Sequence, residues 1–182
     1  LRSAPVTTDA GSKVDMWVFI VNLLILVFSE QATAGSVDQK LVQAALDRTS
    51  HSIRYDGSYY SIPYPGGDVP GDVGVCTDVI IRAYRTLGID LQQLVHEDMS
   101  MNFDQYPSKQ VWGLDKPDTN IDHRRVPNLR VFFKRNGQEL SISNDKQTYQ
   151  EGDIVTWMLP GNLPHIGIVT DKISETTGNR MI

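Results

Sequence analysis

Residues 74–88 read GVCTDVIIRAYRTLG, and this stretch decides the fold class. Val79, Ile80, Ala83, Tyr84 and Leu87 recur at the spacing of one helix face, and Gly88 follows as a C-terminal stop. The helix is expected to start near Cys76. That residue precedes Val79 and Ile80 by three and four positions, so its side chain leaves the first turn on the buried side. Upstream, residues 65–72 (PGGDVPGD) are too rich in Pro and Gly to extend the helix backwards.

Working outward, Ser36 and Gln39 form a capping box, and Val37, Leu41, Ala44, Ala45 and Arg48 follow at helical spacing. Tyr55 to Tyr64 is aromatic-rich and reads as a strand plus loop. A further helix is expected from Leu91 to Met99. Residues 102–128, punctuated by Pro107, Trp112, Pro117 and Pro127, read mostly as loop, and a loop of that length is usually functional or braced. Leu129 to Phe133 is a strand candidate, with Asn136-Gly137 as a hairpin-turn dipeptide. Asp153 to Leu159 (DIVTWML) and His165 to Thr170 (HIGIVT) read as two strands, joined by Pro160 to Pro164 in an antiparallel hairpin. A helix carrying the cysteine, packed on an antiparallel sheet, gives an α+β architecture.

The chain has 182 residues, 17 Lys+Arg against 22 Asp+Glu and a net charge of −5, with 40% hydrophobic and 21% charged residues. That is the composition of an ordinary globular protein. A single cysteine excludes an intrachain disulfide and a multi-cysteine zinc site. The acidic balance argues against a nucleic-acid binder. Residues 1–34 are expected to be a leader: Trp17 to Phe28 (WVFIVNLLILVF) suits the apolar core of a signal peptide, and Ala32-Thr33-Ala34 supplies a small-x-small cleavage pattern. Met16 is a plausible start. A run of twelve residues, apolar except for Asn22, is too short to span a bilayer comfortably, so no stable membrane span is expected in the mature form. Residues 35–182 are then a single domain, periplasmic or secreted, and expected to be a monomer.

Cys76 opens a helix after a glycine-rich loop, where N–H groups and the helix dipole favour thiolate and could serve an oxyanion. The alternatives are a small buried hydrophobe or a thiol that pairs between molecules. His165 opens a strand after a proline and is the natural base for such a thiol. His123, beside Arg124 and Arg125, could line a cleft and recognise a carboxylate through the guanidinium groups; the bland alternative is an exposed basic loop. These three residues and the Tyr55–Tyr64 aromatics, Tyr64 included, are the candidate substrate-binding groups. His51 reads as solvated. His96-Glu97 lacks a histidine at position 100 and so fails as a helical zinc-protease motif. Asp78 reads as a cap or brace and Asp153 as a turn residue. No metal or organic cofactor is implied.

Cys76-Thr77-Asp78 at a helix start, then Glu151-Gly152-Asp153-Ile154-Val155, then His165-Ile166-Gly167-Ile168-Val169 resembles the NlpC/p60 superfamily of cysteine peptidases. More closely, Tyr64 to Asp68, Gly74 to Val79, Asn120 to Leu129 and His165 to Val169 resemble a bacterial family known as domain of unknown function 1287. The resemblance covers nearly all of residues 38–182. It implies a papain-like fold that hydrolyses an amide, most often in cell-wall peptides such as those of peptidoglycan, with Cys76 as nucleophile and His165 as base. It also implies a third residue orienting the imidazole, on the strand after the histidine strand and expected beyond Ile182, in a domain cut short at its C-terminus. The function expected is thus an exported cysteine hydrolase (amidase or peptidase) of the cell envelope. A catalytically inactive envelope-binding module on the same fold, or a cysteine acyltransferase resembling transglutaminases, are the alternatives.

Overall fold

Ser36 opens the first helix as its spacing with Gln39 predicts. In the computed structural model, which describes residues 35–182, Gln39 N–H donates to Ser36 Oγ at 3.2 Å and Ser36 N–H to Gln39 Oε1 at 3.0 Å. The reciprocal bonds cap α1 (Val37–Arg48), which buries Leu41, Val42 and Ala45. The expected leader, residues 1–34, lies outside the described residues. Residues Ser36–Ile182 form one compact unit of mixed helix and strand. Among the described residues no helix is long and apolar enough to cross a membrane.

A short parallel pair, β1 (Arg54–Tyr55) and β2 (Val73–Gly74), precedes α2 (Cys76–Thr86). The strand read over Tyr55–Tyr64 therefore ends at Tyr55, and the rest is loop held by side chains. Gln92 is the main holder: its Oε1 accepts from Gly67 N–H at 2.8 Å, and its Nε2 donates to the Pro63 and Thr119 carbonyls, each at 3.0 Å. Gly67 has to be glycine here, since a Cβ would collide with the Pro63 carbonyl. Gln92 itself belongs to α3 (Leu91–Asn102), which buries Leu91, Val95 and Met99 and is capped by Asp90.

Two readings of the sequence are corrected downstream. Residues 102–128 are not mostly loop: they hold a 3-10 turn (Phe103–Gln105), α4 (Ser108–Trp112) and a second 3-10 turn (Asp122–Arg124). Residues Leu129–Phe133 are not a strand but the middle of α5 (Val126–Asn136), with Pro127 in its first turn and Leu129 and Phe132 buried. Pro there fits the free N–H positions of a helix start, and an apolar run this short has no period of its own to separate helix from strand. Asn136-Gly137 accordingly ends a helix rather than turning a hairpin.

The hairpin is where it was expected. β3 (Ile154–Leu159) pairs antiparallel with β4 (Leu163–Ile168), but the connection is Pro160–Asn162, two residues shorter than the span from Pro160 to Pro164. Gly161 and Asn162, at φ 83° and 59°, take the left-handed conformations that such a tight turn needs. β4 turns Ile166 and Ile168 into the core, against α2 and α5, in one cluster with apolar residues of α1 and α3.

One polar pair crosses this core. Arg124 grips Asp78 with two bonds, Nε to Oδ1 at 2.9 Å and Nη2 to Oδ2 at 3.0 Å, and the two side chains are only 2% and 3% exposed. Asp78 Oδ2 also accepts Val75 N–H at 2.7 Å, so the residue both caps α2 and holds the arginine. Arg124 spends its other donors on the carbonyls of Ser58 and Asp56.

Removing one partner would strand a buried charge. Asp78→Ala or Arg124→Ala is expected to cost about 3–5 kcal/mol of unfolding free energy in urea titrations. The paired variant with both residues replaced by apolar ones should lose less than the two single losses added together.

His123 makes a second prediction. It is 2% exposed with Nδ1 lacking any partner among the described residues, and burial pushes its imidazole down to about 4. The unfolded chain takes up this proton near pH 6.5, and the folded one only near 4. Stability contributed here is therefore complete above about pH 6.5 and falls as pH drops to 4, by roughly 3 kcal/mol. His123→Gln should flatten that part of the stability–pH curve; an unchanged slope would show that His123 does not set it.

Candidate active site

β2 runs into α2 with no intervening loop, so Val75 and Cys76 stand at the mouth of the helix. The Cys76 sulfur is half-buried there, with the backbone N–H groups of Ile166 on β4, of Thr77 and of Cys76 itself close enough to act on its charge. These donors favour the thiolate, as the helix-start reading expects. Burial opposes them and Asp78 adds repulsion, and burial is the larger effect. The net result is a Cys76 thiol pushed up, not down. Burial thus favours the neutral thiol at rest over the thiolate.

Cys76 and His165 open onto one cavity of about 660 Å³. Besides Val75 and Cys76, its walls come from four further parts of the chain. Tyr55 ends β1 with Gly57 and Tyr59 just after it, Trp112 ends α4, Ile121 and Arg124 to Pro127 lead into α5, and Leu159 and Leu163 to His165 flank the hairpin turn. The imidazole of His165 packs edge-on against Trp157, its cross-strand partner, with ring centroids 4.8 Å apart. Gly167, two residues on, leaves room for both neighbours, because a Cβ would collide with the Ile182 side chain and crowd Trp157 at 3.3 Å. No hydrogen bond joins the imidazole to the sulfur or to any other described residue. A second cavity, about 520 Å³, is made by the single loop Gly113–Thr119 and holds neither residue.

The other sequence candidates divide. Arg124 and Arg125 line the cavity; His123 and Tyr64 do not. The 3-10 turn rotates His123 inward, so it is an interior residue rather than part of a cleft or an exposed basic loop. Tyr64 instead sits edge-on to His96, with centroids 5.0 Å apart. Asp78 is the brace that its position suggested, in the ion pair with Arg124. His51 is exposed, and Asp153 accepts Gln150 N–H at 2.8 Å within the turn before β3. Among the described residues, no three His, Cys, Asp or Glu side chains gather as a metal site.

One wall residue, Trp112, escaped the sequence reading, and Tyr59, read among the Tyr55–Tyr64 aromatics, has partners that the reading did not supply. Trp112 had registered only as loop punctuation, yet its ring lies under the Arg125 guanidinium, 4.1 Å from centroid to Cζ. Tyr59 donates to Asp118 at 3.1 Å and accepts from Asn120 Nδ2 at 2.7 Å, tying the β1 loop to the loop before α5. Neither pairing has a local signature, because each joins residues brought together only by the fold.

The comparisons agree with the closer of the two resemblances. An uncharacterized protein of Escherichia coli strain K12, YijF, is 50% identical over 135 residues, which cover 74% of this chain and 65% of that protein. The chain thus spans about two thirds of the length of this curated relative. No solved structure matches. The family profile described as domain of unknown function (DUF1287) matches residues 42–182, a span that takes in Cys76, the Asp78–Arg124 pair and His165. The chain belongs to the DUF1287 family.

Proposed function

We propose that this chain is a cysteine-type amide hydrolase with a papain-like, NlpC/p60-like catalytic arrangement. It is exported to the periplasm or secreted, and cuts peptide or amide bonds of the cell envelope. The observation that carries the reading is the shared cavity. It joins the only thiol of the chain, set at a helix start among backbone N–H donors, to the one imidazole in the lining.

The neutral resting thiol defines how the reaction would start. When an amide enters, the Cys76 S–H proton passes to His165 as sulfur attacks the carbonyl carbon, forming the S–C bond. The oxyanion is met by N–H groups at the α2 start. The C–N bond then breaks, and the leaving amine takes the proton from His165. Water, deprotonated by His165, attacks the thioester and releases a carboxylic acid and the free thiol. His165 has to come into reach of the sulfur for this, as catalytic hydrogen bonds often tighten only with substrate bound.

One observation favours a second reading. A thiol pushed up by burial, with no imidazole bonded to it, is also what a catalytically silent envelope-binding module would keep. Digestion of purified cell-wall peptides separates the two. Hydrolysis that falls at least about a hundredfold in Cys76→Ala supports the enzyme; equal release by both proteins removes Cys76 from the chemistry, and binding without release supports the module.

Alkylation tests the order of events. With the thiol raised, iodoacetamide should react slowly with the free protein at pH 7, and the rate should climb only beyond about pH 8.5. Fast alkylation at pH 6 would mean a preformed thiolate–imidazolium pair and would overturn the general-base sequence above.

A further inference from the structure

The cavity beside Cys76 has a charge character that the hydrolase reading does not use. Among the described residues no Asp or Glu lines it, and the charged groups there are the two guanidinium ions of Arg124 and Arg125. Arg124 is spent, with every side-chain nitrogen bonded to Asp78 or to the carbonyls of Ser58 and Asp56. Arg125 is not. Its side chain is 18% exposed and gives one hydrogen bond, from Nη1 to Asp122 Oδ1 at 3.2 Å. Nε and Nη2 have no partner among the described residues. Asp122 is a diluted counter-charge: it also accepts Asp118 N–H, and burial raises its carboxyl.

Trp112 braces the side chain that carries the free donors. The guanidinium lies over the indole, its Cζ 4.1 Å from the ring centroid, while Nε and Nη2 remain available for hydrogen bonding. A guanidinium edge with two unused N–H groups matches a planar carboxylate, which accepts two parallel bonds. Tyr55, Tyr59, Leu159 and Leu163, all exposed, make the rest of the wall largely apolar, so Arg125 offers the free polar edge of an open, mostly apolar surface.

We infer that the substrate is an acidic peptide, one that presents a free carboxylate to Arg125 braced on Trp112 while its amide reaches Cys76. This rests on the hydrolase reading for the amide, but the carboxylate contact can be measured without turnover. Arg125 is in this view a specificity residue. It takes no proton and touches no reacting atom.

The test uses the Cys76→Ala protein and two preparations of the same purified cell-wall peptides, one with free carboxylates and one converted to carboxamides with carbodiimide and ammonia. Binding is followed by tryptophan fluorescence and calorimetry. The free-acid peptides should bind about tenfold or more tighter than the carboxamides. Adding Arg125→Gln should abolish that difference. Arg125→Lys, which keeps the charge but loses the fork, should retain only part of it, and an unchanged melting temperature in either variant confirms that the fold is intact. Equal binding of the two preparations, no binding of either, or discrimination that survives Arg125→Gln overturns the inference. The hydrolase reading fails separately: acid-selective binding with no Cys76-dependent release removes the enzyme and leaves the carboxylate site. Release that ignores amidation removes the site and leaves the enzyme.

Discussion

The buried pair of Asp78 and Arg124 is the constraint around which the rest of the described chain is arranged. Two opposite charges taken out of water are tolerable only if nearly every donor and acceptor is met. Here the carboxylate takes the guanidinium and the N–H of Val75, and the guanidinium reaches on to two carbonyls after β1. One ion pair thereby joins the start of α2, the β1 loop and the turn before α5. Cys76 lies two residues from one end of that junction. Its position is set by an interaction it does not make.

The same low-dielectric setting explains the state of the sulfur. A helix start and three N–H donors are an environment that ordinarily lowers a thiol, and position alone suggested this. What position cannot show is how deeply the sulfur sits, or that it lies against the backbone of Ile166. Desolvation scales with burial, and burial is a property of the assembled α2–β4 contact. Local electrostatics was read correctly in kind and outweighed in magnitude.

Much of the fold was legible for reasons that are local. The capping box at Ser36, the apolar face of α2 apart from Val79, which is exposed, and the short apolar runs of β3 and β4 each depend on residues a few positions apart. Cys76 and His165 were legible as residue types, and the structure adds that they share a cavity. The failures are equally physical. Leu129–Phe133 is too short to reveal its period, and it became helix because Pro127 starts one and the core takes Leu129 and Phe132. His123 and Arg124 are adjacent in an apparently basic loop, but a 3-10 turn sends both inward, where Arg124 finds a carboxylate 46 residues away. Trp112 and Arg125 meet because α4 and α5 converge, which no spacing rule encodes.

The Gln92 clamp carries a consequence for how this family can vary. One side chain accepts from the loop after β1 and donates to both that loop and the one before α5. Two segments that flank the cavity are therefore gauged against a single amide. An insertion in either would pull a carbonyl or an N–H off Gln92 and leave a buried polar group without a partner. Lengths of the two segments should then change together across the lineage or not at all, while the hairpin tip, held by its own turn, is free to lengthen and reshape the cavity's rim.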